Sequence, residues 1–232
     1  MPKVLAPKRP PREQVTAGIF AAAIGLFARR GYEATTMQDV AAKVGMTAPA
    51  LYYYFESKQR LLFEVIELNL ERFAGMLDVL LPLGTDSPAD ELRAFVRTHL
   101  AFQLEDVDRA RIYNAMFLGT GALLEALTPG QRSKILKFQG KVRNRLRAIL
   151  ERGVARKKFS IRDLTVTAMA ILALGEFAVA WFAPHGRLKM TDVGEQYAEL
   201  AVRMVTPPAR LKSTPVVHIH NDRTVFPKGE LR

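Results

Sequence analysis

Apolar residues recur every three or four positions along most of the chain and never alternate with polar ones, so the pattern predicts helices throughout. Val15, Ile19, Phe20, Ala23, Leu26 and Phe27 make the apolar face of a first helix ending at Arg30. After Ser57, residues Leu62, Val65, Ile66, Leu70, Phe73 and Leu77 define a long helix reaching about Leu81, where Pro82, Gly84 and Pro88 break it. Further helices are predicted near 89–105, 108–119, 129–157, 162–183 and 191–205. The fold class is therefore all-α.

The stretch Thr36 to Lys58, TMQDVAAKVGMTAPALYYYFESK, carries the sharpest local signals. Thr36 is a natural N-cap, and Asp39 three residues on approximates a capping box. Val40, Ala41 and Val44 keep helical spacing, and Gly45 falls where a left-handed C-terminal residue is wanted. Thr47 caps the next helix, Pro49 is tolerated in its first turn, and Met46 and Leu51 are spaced as a hydrophobic staple. Helix, glycine turn and second helix is the arrangement that delivers a recognition helix into the DNA major groove.

From about Val15 to Phe63 the chain resembles the DNA-binding domain of the tetracycline-repressor (TetR) family. The match is carried by Ala22, Phe27, Gly31, Tyr32, Thr35-Thr36, Val40-Ala41, Val44-Gly45, Thr47, Leu51-Tyr52-Tyr53, Phe55 and Ser57-Lys58. The family often has His before this Phe, where this chain has Tyr54. The resemblance implies a three-helix helix-turn-helix domain at 15–57, followed by a helical ligand-binding and dimerisation domain at 58–205. Residues 1–14 read as a flexible basic arm with Lys3, Lys8, Arg9 and Arg12, and 206–232 as a disordered tail. The segment WFAPHGRLKMTDVGEQYAELA is similar to family members that control lipid or steroid catabolism.

Composition narrows the setting. There are no cysteines, so disulfides and thiolate metal sites are excluded. The N-terminus is basic and proline-rich without an apolar core, and no apolar run reaches the ~20 residues of a membrane helix, so a cytoplasmic protein is expected. Net charge is +11, unevenly spread: +4 over residues 1–58, −5 over 59–131 and +11 over 132–162. A basic N-terminal domain suits phosphate binding.

Roles follow from position. Thr47, Ala48 and Pro49 open the recognition helix, where side chains face base edges, and Ala48 and Pro49 offer only apolar contact such as a thymine methyl. Tyr52 and Tyr53 carry hydroxyls for phosphates or bases. Lys58, Thr36 and the exposed Lys43 are the candidate phosphate contacts, while Leu51 and Phe55 are expected in the core. The last two helices are apolar enough to pair with a second copy as a four-helix bundle, and a symmetric dimer reads a palindromic operator.

As the resemblance implies, helices between about 59 and 157 should enclose a small-molecule effector. Candidate walls are Phe73, Leu77, Phe95, Phe102, Tyr113, Met116, Phe117 and Phe138, with His99, Gln103, Asn114, Gln139 and Glu176 as polar contacts. On helix 129–157, Lys134, Lys137, Lys141, Arg145 and Arg152 line up beside an apolar stripe, which suits an amphiphilic anion such as an acyl-CoA thioester. Lys141 and Arg145 are its candidate ligands. A repressor released by its inducer is the expected mechanism. No nucleophile and base stand together, no phosphate-cradling glycine loop appears, and no cofactor or metal is called for, so an enzyme is not expected. The competing reading is a helical binding or carrier protein that uses the cavity without regulatory DNA binding.

Overall fold

A computed structural model describes residues 11–80, 86–118 and 122–207, with the side chains of 116–118 and 122 excepted. Among the described residues there are ten helices and no strand: α1 Arg12–Arg30, α2 Met37–Lys43, α3 Ala48–Tyr54, α4 Lys58–Leu80, α5 Pro88–Glu105, α6 Val107–Leu118, α7 Ala122–Glu125, α8 Pro129–Ala155, α9 Leu164–Trp181 and α10 Met190–Val205. The predicted helices lie within two residues of these bounds, save that the first, expected after residue 14, starts three residues earlier. The four-residue α7 is too short to show a helical period. α1 begins at Arg12, so the expected arm 1–14 is helical in its last three residues. Lys3, Lys8, Arg9, the breakers Pro82 and Gly84, the tail from 208 onward and the side chains of Met116 and Phe117 lie outside the described residues.

Local rules account for the turns. Thr36 and Asp39 form a complete capping box: Asp39 N–H donates to Thr36 Oγ1 at 3.1 Å and Thr36 N–H to Asp39 Oδ2 at 2.8 Å. Gly45 adopts φ 69°, and the Met46 N–H reaches back to the Ala41 carbonyl at 2.9 Å, closing α2 as sequence predicts. Thr47 caps α3 through the Ala50 N–H at 3.4 Å.

Packing produces two cores. The first gathers Ile19, Ala23, Phe27, Val40, Leu51, Phe55, Leu62 and Ile66 with Leu70, and it also takes in Ile112, Leu127 and Ile135. The small helical reader is therefore not closed at residue 57: α6, the α7 turn and the start of α8 complete its core. Gln59 further ties α4 to this region by donating to the Ala126 carbonyl. The second core runs from Phe73 and Leu77 through Phe95, Leu100, Leu146, Leu150 and Ile171 to Ala201 and Val205. The hand-over between cores falls within one turn of α4, between Leu70 and Phe73, and Phe138 on α8 packs against both.

α5 is the axis of the second body, with α4, α6, α8, α9 and α10 around it. Gly175 lets α9 come close to α5: a Cβ there would stand 2.7 Å from His99 Nδ1. Along the outside, Arg93–Glu199 at 2.7 Å and Arg97–Glu195 at 3.0 Å join α5 to α10, exposed pairs that contribute little each. α9 has the length and apolar composition of a membrane-crossing helix, but a third of it is buried on the fold and Glu176 interrupts it. Its remaining apolar surface faces outward.

Candidate nucleic-acid interface and ligand cavity

α3 presents Thr47, Pro49, Tyr52 and Tyr53 on one open surface, with Ala48 half-buried beneath them and Lys43 exposed on the neighbouring α2. Tyr53 is 75 % exposed and Tyr52 50 %, while Leu51 and Phe55 are buried. That division is the one a recognition helix requires, since one face packs and the other reads. Tyr54 turns inward far enough to meet Tyr53 edge-on, ring centroids 5.6 Å apart. The guanidinium of Arg12 lies over both rings, 5.9 Å from Tyr53 and 5.6 Å from Tyr54. The sequence places Arg12 in a flexible arm; the docking of α1 beside α3 brings it here.

Two expected phosphate contacts are already committed within the chain. Thr36 donates its hydroxyl at 2.6 Å and its backbone N–H at 2.8 Å to Asp39 Oδ2, and these bonds hold the Asp39 carboxyl below the usual carboxylate range. The Lys58 ammonium donates to the carbonyls of Tyr32 at 2.9 Å and Glu33 at 3.3 Å, and sits 4.2 Å from the Tyr32 ring centroid. Lys58 thus straps the α1–α2 loop to the start of α4, and two of its three N–H donors are occupied.

A cavity of about 190 Å³ lies between α4, α5, α6, α8 and α9. Of the expected ligand contacts, Phe73, His99, Phe102, Gln103, Tyr113, Gln139 and Glu176 line it. Phe73 and Phe102 stack with centroids 4.7 Å apart. Leu70, Val142, Arg143, Met169 and Leu172 line it as well and are not among the expected contacts: of α9 the sequence singles out Glu176 alone, and Arg143 lies off the cationic stripe of α8.

Other expected contacts stand elsewhere. Leu77 is packed in the second core. Asn114 is one layer out, donating to the Glu176 carbonyl at 2.9 Å and accepting from Gln103 Nε2 at 3.3 Å. Phe138 and Lys141 line a separate groove between α4 and α8, together with Lys134 and Lys137. Arg145 bonds to Asp78 and to the Leu77 carbonyl. The cationic stripe is thus largely answered by acids: Lys134 pairs with Glu67, Arg145 with Asp78 and Arg152 with Glu91. Periodicity aligned these cations but could not show that α4 and α5 bring carboxylates opposite them.

Burial governs the titration of the cavity's groups. Burial pulls the His99 imidazole down to about 4, so it is neutral near pH 7. Burial likewise pushes the Tyr113 hydroxyl up to about 12 and raises the Glu176 carboxyl above its usual range. Gln139 Nε2 donates to the Tyr113 oxygen at 3.3 Å. Among the described residues there is no cluster of three metal-ligating side chains.

Comparison with known proteins agrees with this architecture. Residues 19–65 match the family of bacterial regulatory proteins, tetR family, and residues 85–205 match the tetracyclin repressor-like C-terminal domain. The HTH-type transcriptional repressor KstR2 of Rhodococcus jostii RHA1 is 27% identical over 185 residues, covering 79% of this chain and 87% of its own. A tetR-family regulatory protein from Rhodococcus RHA1 superposes with a TM-score of 0.74 at 26% identity, covering 83% of this chain and 97% of its own. AibR, solved in complex with isovaleryl coenzyme A and operator DNA, superposes with a TM-score of 0.68 at 26% identity over 83% of this chain and 98% of its own. With an exposed helix α3, a lined cavity where the two cores meet and both family domains matched, the chain belongs to the tetR family of bacterial transcriptional regulators.

Proposed function

We propose that the protein is a cytoplasmic repressor that binds a palindromic operator as a symmetric dimer and lets go when a small-molecule inducer, of the acyl-CoA thioester class, fills the cavity. One observation carries the inducer mechanism: the cavity straddles the seam between the two cores. Leu70, from the reader's core, and Phe73, from the second core, both wall it, one turn apart on α4. A ligand acts only through different affinities for two conformations. A group inserted at this seam favours the state in which α4 and its attached reader stand away from α5 and α9. The moving body is larger than the three-helix domain, because Ile112, Leu127 and Ile135 are packed into the same core.

Dimerisation is supported by the apolar surface on the last two helices. Val166, Met169, Phe177 and Trp181 of α9 and Leu200 and Met204 of α10 are all exposed as large hydrophobic groups. Covering them with a second copy would align two α3 helices on one duplex, each able to enter a major groove when spaced near one turn, ~34–36 Å. The ligand class is supported by the thioester bound to AibR. Fluorescence anisotropy with DNA from the protein's own promoter region tests the whole reading. Binding to one inverted repeat, reversed by an acyl-CoA, is expected. A cavity ligand that binds with no specific DNA found would instead favour a carrier protein.

A further inference from the structure

We propose that the cavity selects a short, uncharged acyl group bearing a hydroxyl, and that Glu176 accepts the hydrogen bond of that hydroxyl. This rests on the acyl-CoA reading above and adds to it the identity of the acyl end.

Size sets the first limit. Apolar cavities of about 150 Å³ hold benzene, so about 190 Å³ admits roughly seven or eight non-hydrogen atoms. A butanoyl to hexanoyl group fits this space; a decanoyl chain or a four-ring sterol does not.

Charge sets the second limit. Among the described residues Glu176 is the one carboxyl of the lining, close enough to Tyr113 for its charge to act on that hydroxyl, and its side chain has neither an ion pair nor a hydrogen-bond partner. His99 is uncharged, so no buried cation is available to neutralise an entering anion. A ligand carboxylate would lose its hydration and meet Glu176 directly. Among the described residues the only cation of the lining is Arg143, whose side chain is exposed. The neutral end of the ligand therefore enters, and its phosphorylated end stays outside near Arg143.

Hydrogen bonding sets the third. Asn114 gives its amide N–H to the Glu176 carbonyl, which leaves its oxygen to accept from Gln103 Nε2. The same Gln103 nitrogen lies 3.4 Å from His99 Nε2. Gln103 is thereby oriented with both N–H donors directed at partners, and its own oxygen is buried with none. Gln103 Oε1 and the Glu176 carboxyl thus stand as acceptors at the cavity that a ligand hydroxyl can serve as donor. A site arranged to bond a hydroxyl discriminates against the analogue that lacks it.

Titration calorimetry of the full-length protein with four thioesters tests this: 3-hydroxybutanoyl-CoA, butanoyl-CoA, succinyl-CoA and decanoyl-CoA. The hydroxylated ester should bind at least about tenfold tighter than butanoyl-CoA. Succinyl-CoA and decanoyl-CoA should each bind at least about tenfold more weakly than butanoyl-CoA. Glu176→Gln, nearly isosteric, should lower the ratio of 3-hydroxybutanoyl-CoA to butanoyl-CoA affinity and relieve the penalty on succinyl-CoA relative to butanoyl-CoA. Equal affinity for hydroxylated and plain esters, a preference for succinyl-CoA, or unchanged ratios in Glu176→Gln would each overturn the proposal while leaving the acyl-CoA reading intact. No binding by any of the four removes both.

Discussion

His99 shows how one buried group ties stability to pH. In the folded protein its imidazole titrates at about 4 against an ordinary value of 6.5, because burial penalises the charged form. The unfolded chain therefore binds a proton that the folded one refuses as pH falls from 6.5 toward 4. Stability is full above that window and is lost through it, by about 3 kcal/mol in total. Urea unfolding at several pH values should show that loss, and His99→Gln should flatten it; an identical pH slope in the variant would assign the loss to other groups. Asp39, Asp90 and Glu199, whose carboxyls are held low by hydrogen bonds, act in the same direction but below the ordinary carboxylate range.

Lys58 teaches a different lesson. A cation at the first turn of a helix beside a reading domain looks like a phosphate contact, yet here it bonds two carbonyls of the loop behind it. Lys58→Met should cost about 1–2 kcal/mol of stability and leave the salt dependence of DNA binding unchanged. A slope reduced by about one unit would put the ammonium on a phosphate after all.

Between elements, the closest approach is that of α5 and α9. The absence of a side chain at Gly175 lets His99 and Leu100 lie against the α9 backbone, with Leu100 Cδ2 3.2 Å from where a Cβ would be. Gly175→Ala must push the helices apart or displace the imidazole. A cost of about 1–3 kcal/mol is expected from such overpacking, together with weaker effector binding, because the displaced wall is the cavity's own. A melting temperature equal to that of the parent protein would mean the contact yields freely. Caps, by contrast, were visible in advance: Thr36 with Asp39, Thr47 and Gly45 act within four residues of themselves, where sequence spacing is spatial spacing.

For the molecule as a whole, the outward apolar faces of α9 and α10 are the feature that one copy leaves unsatisfied. Phe177, 67 % exposed in the C-terminal third of α9, is the sharpest test. Phe177→Glu should convert the protein to a monomer in sedimentation and weaken operator binding at least about a hundredfold, since two half-sites no longer act together. Dimers persisting in that variant would move the interface elsewhere. Charge also resolves only at this level. The strongly basic run 132–162 looked like a ligand platform, but folding sets Glu67, Asp78 and Glu91 against three of its cations.

A cavity between the helices was what the family resemblance implied. Helix positions, the capped turn and the buried and exposed faces of α3 were legible in the chain, because each depends on neighbours three or four residues away. The placement of Arg12 over the tyrosines, the strap made by Lys58, the neutralised cationic stripe and the entry of Arg143 and Met169 into the cavity wall were not. Each of these depends on which helices meet, and that was decided by burial of two cores across distant segments, a sum over the whole chain that no local period records.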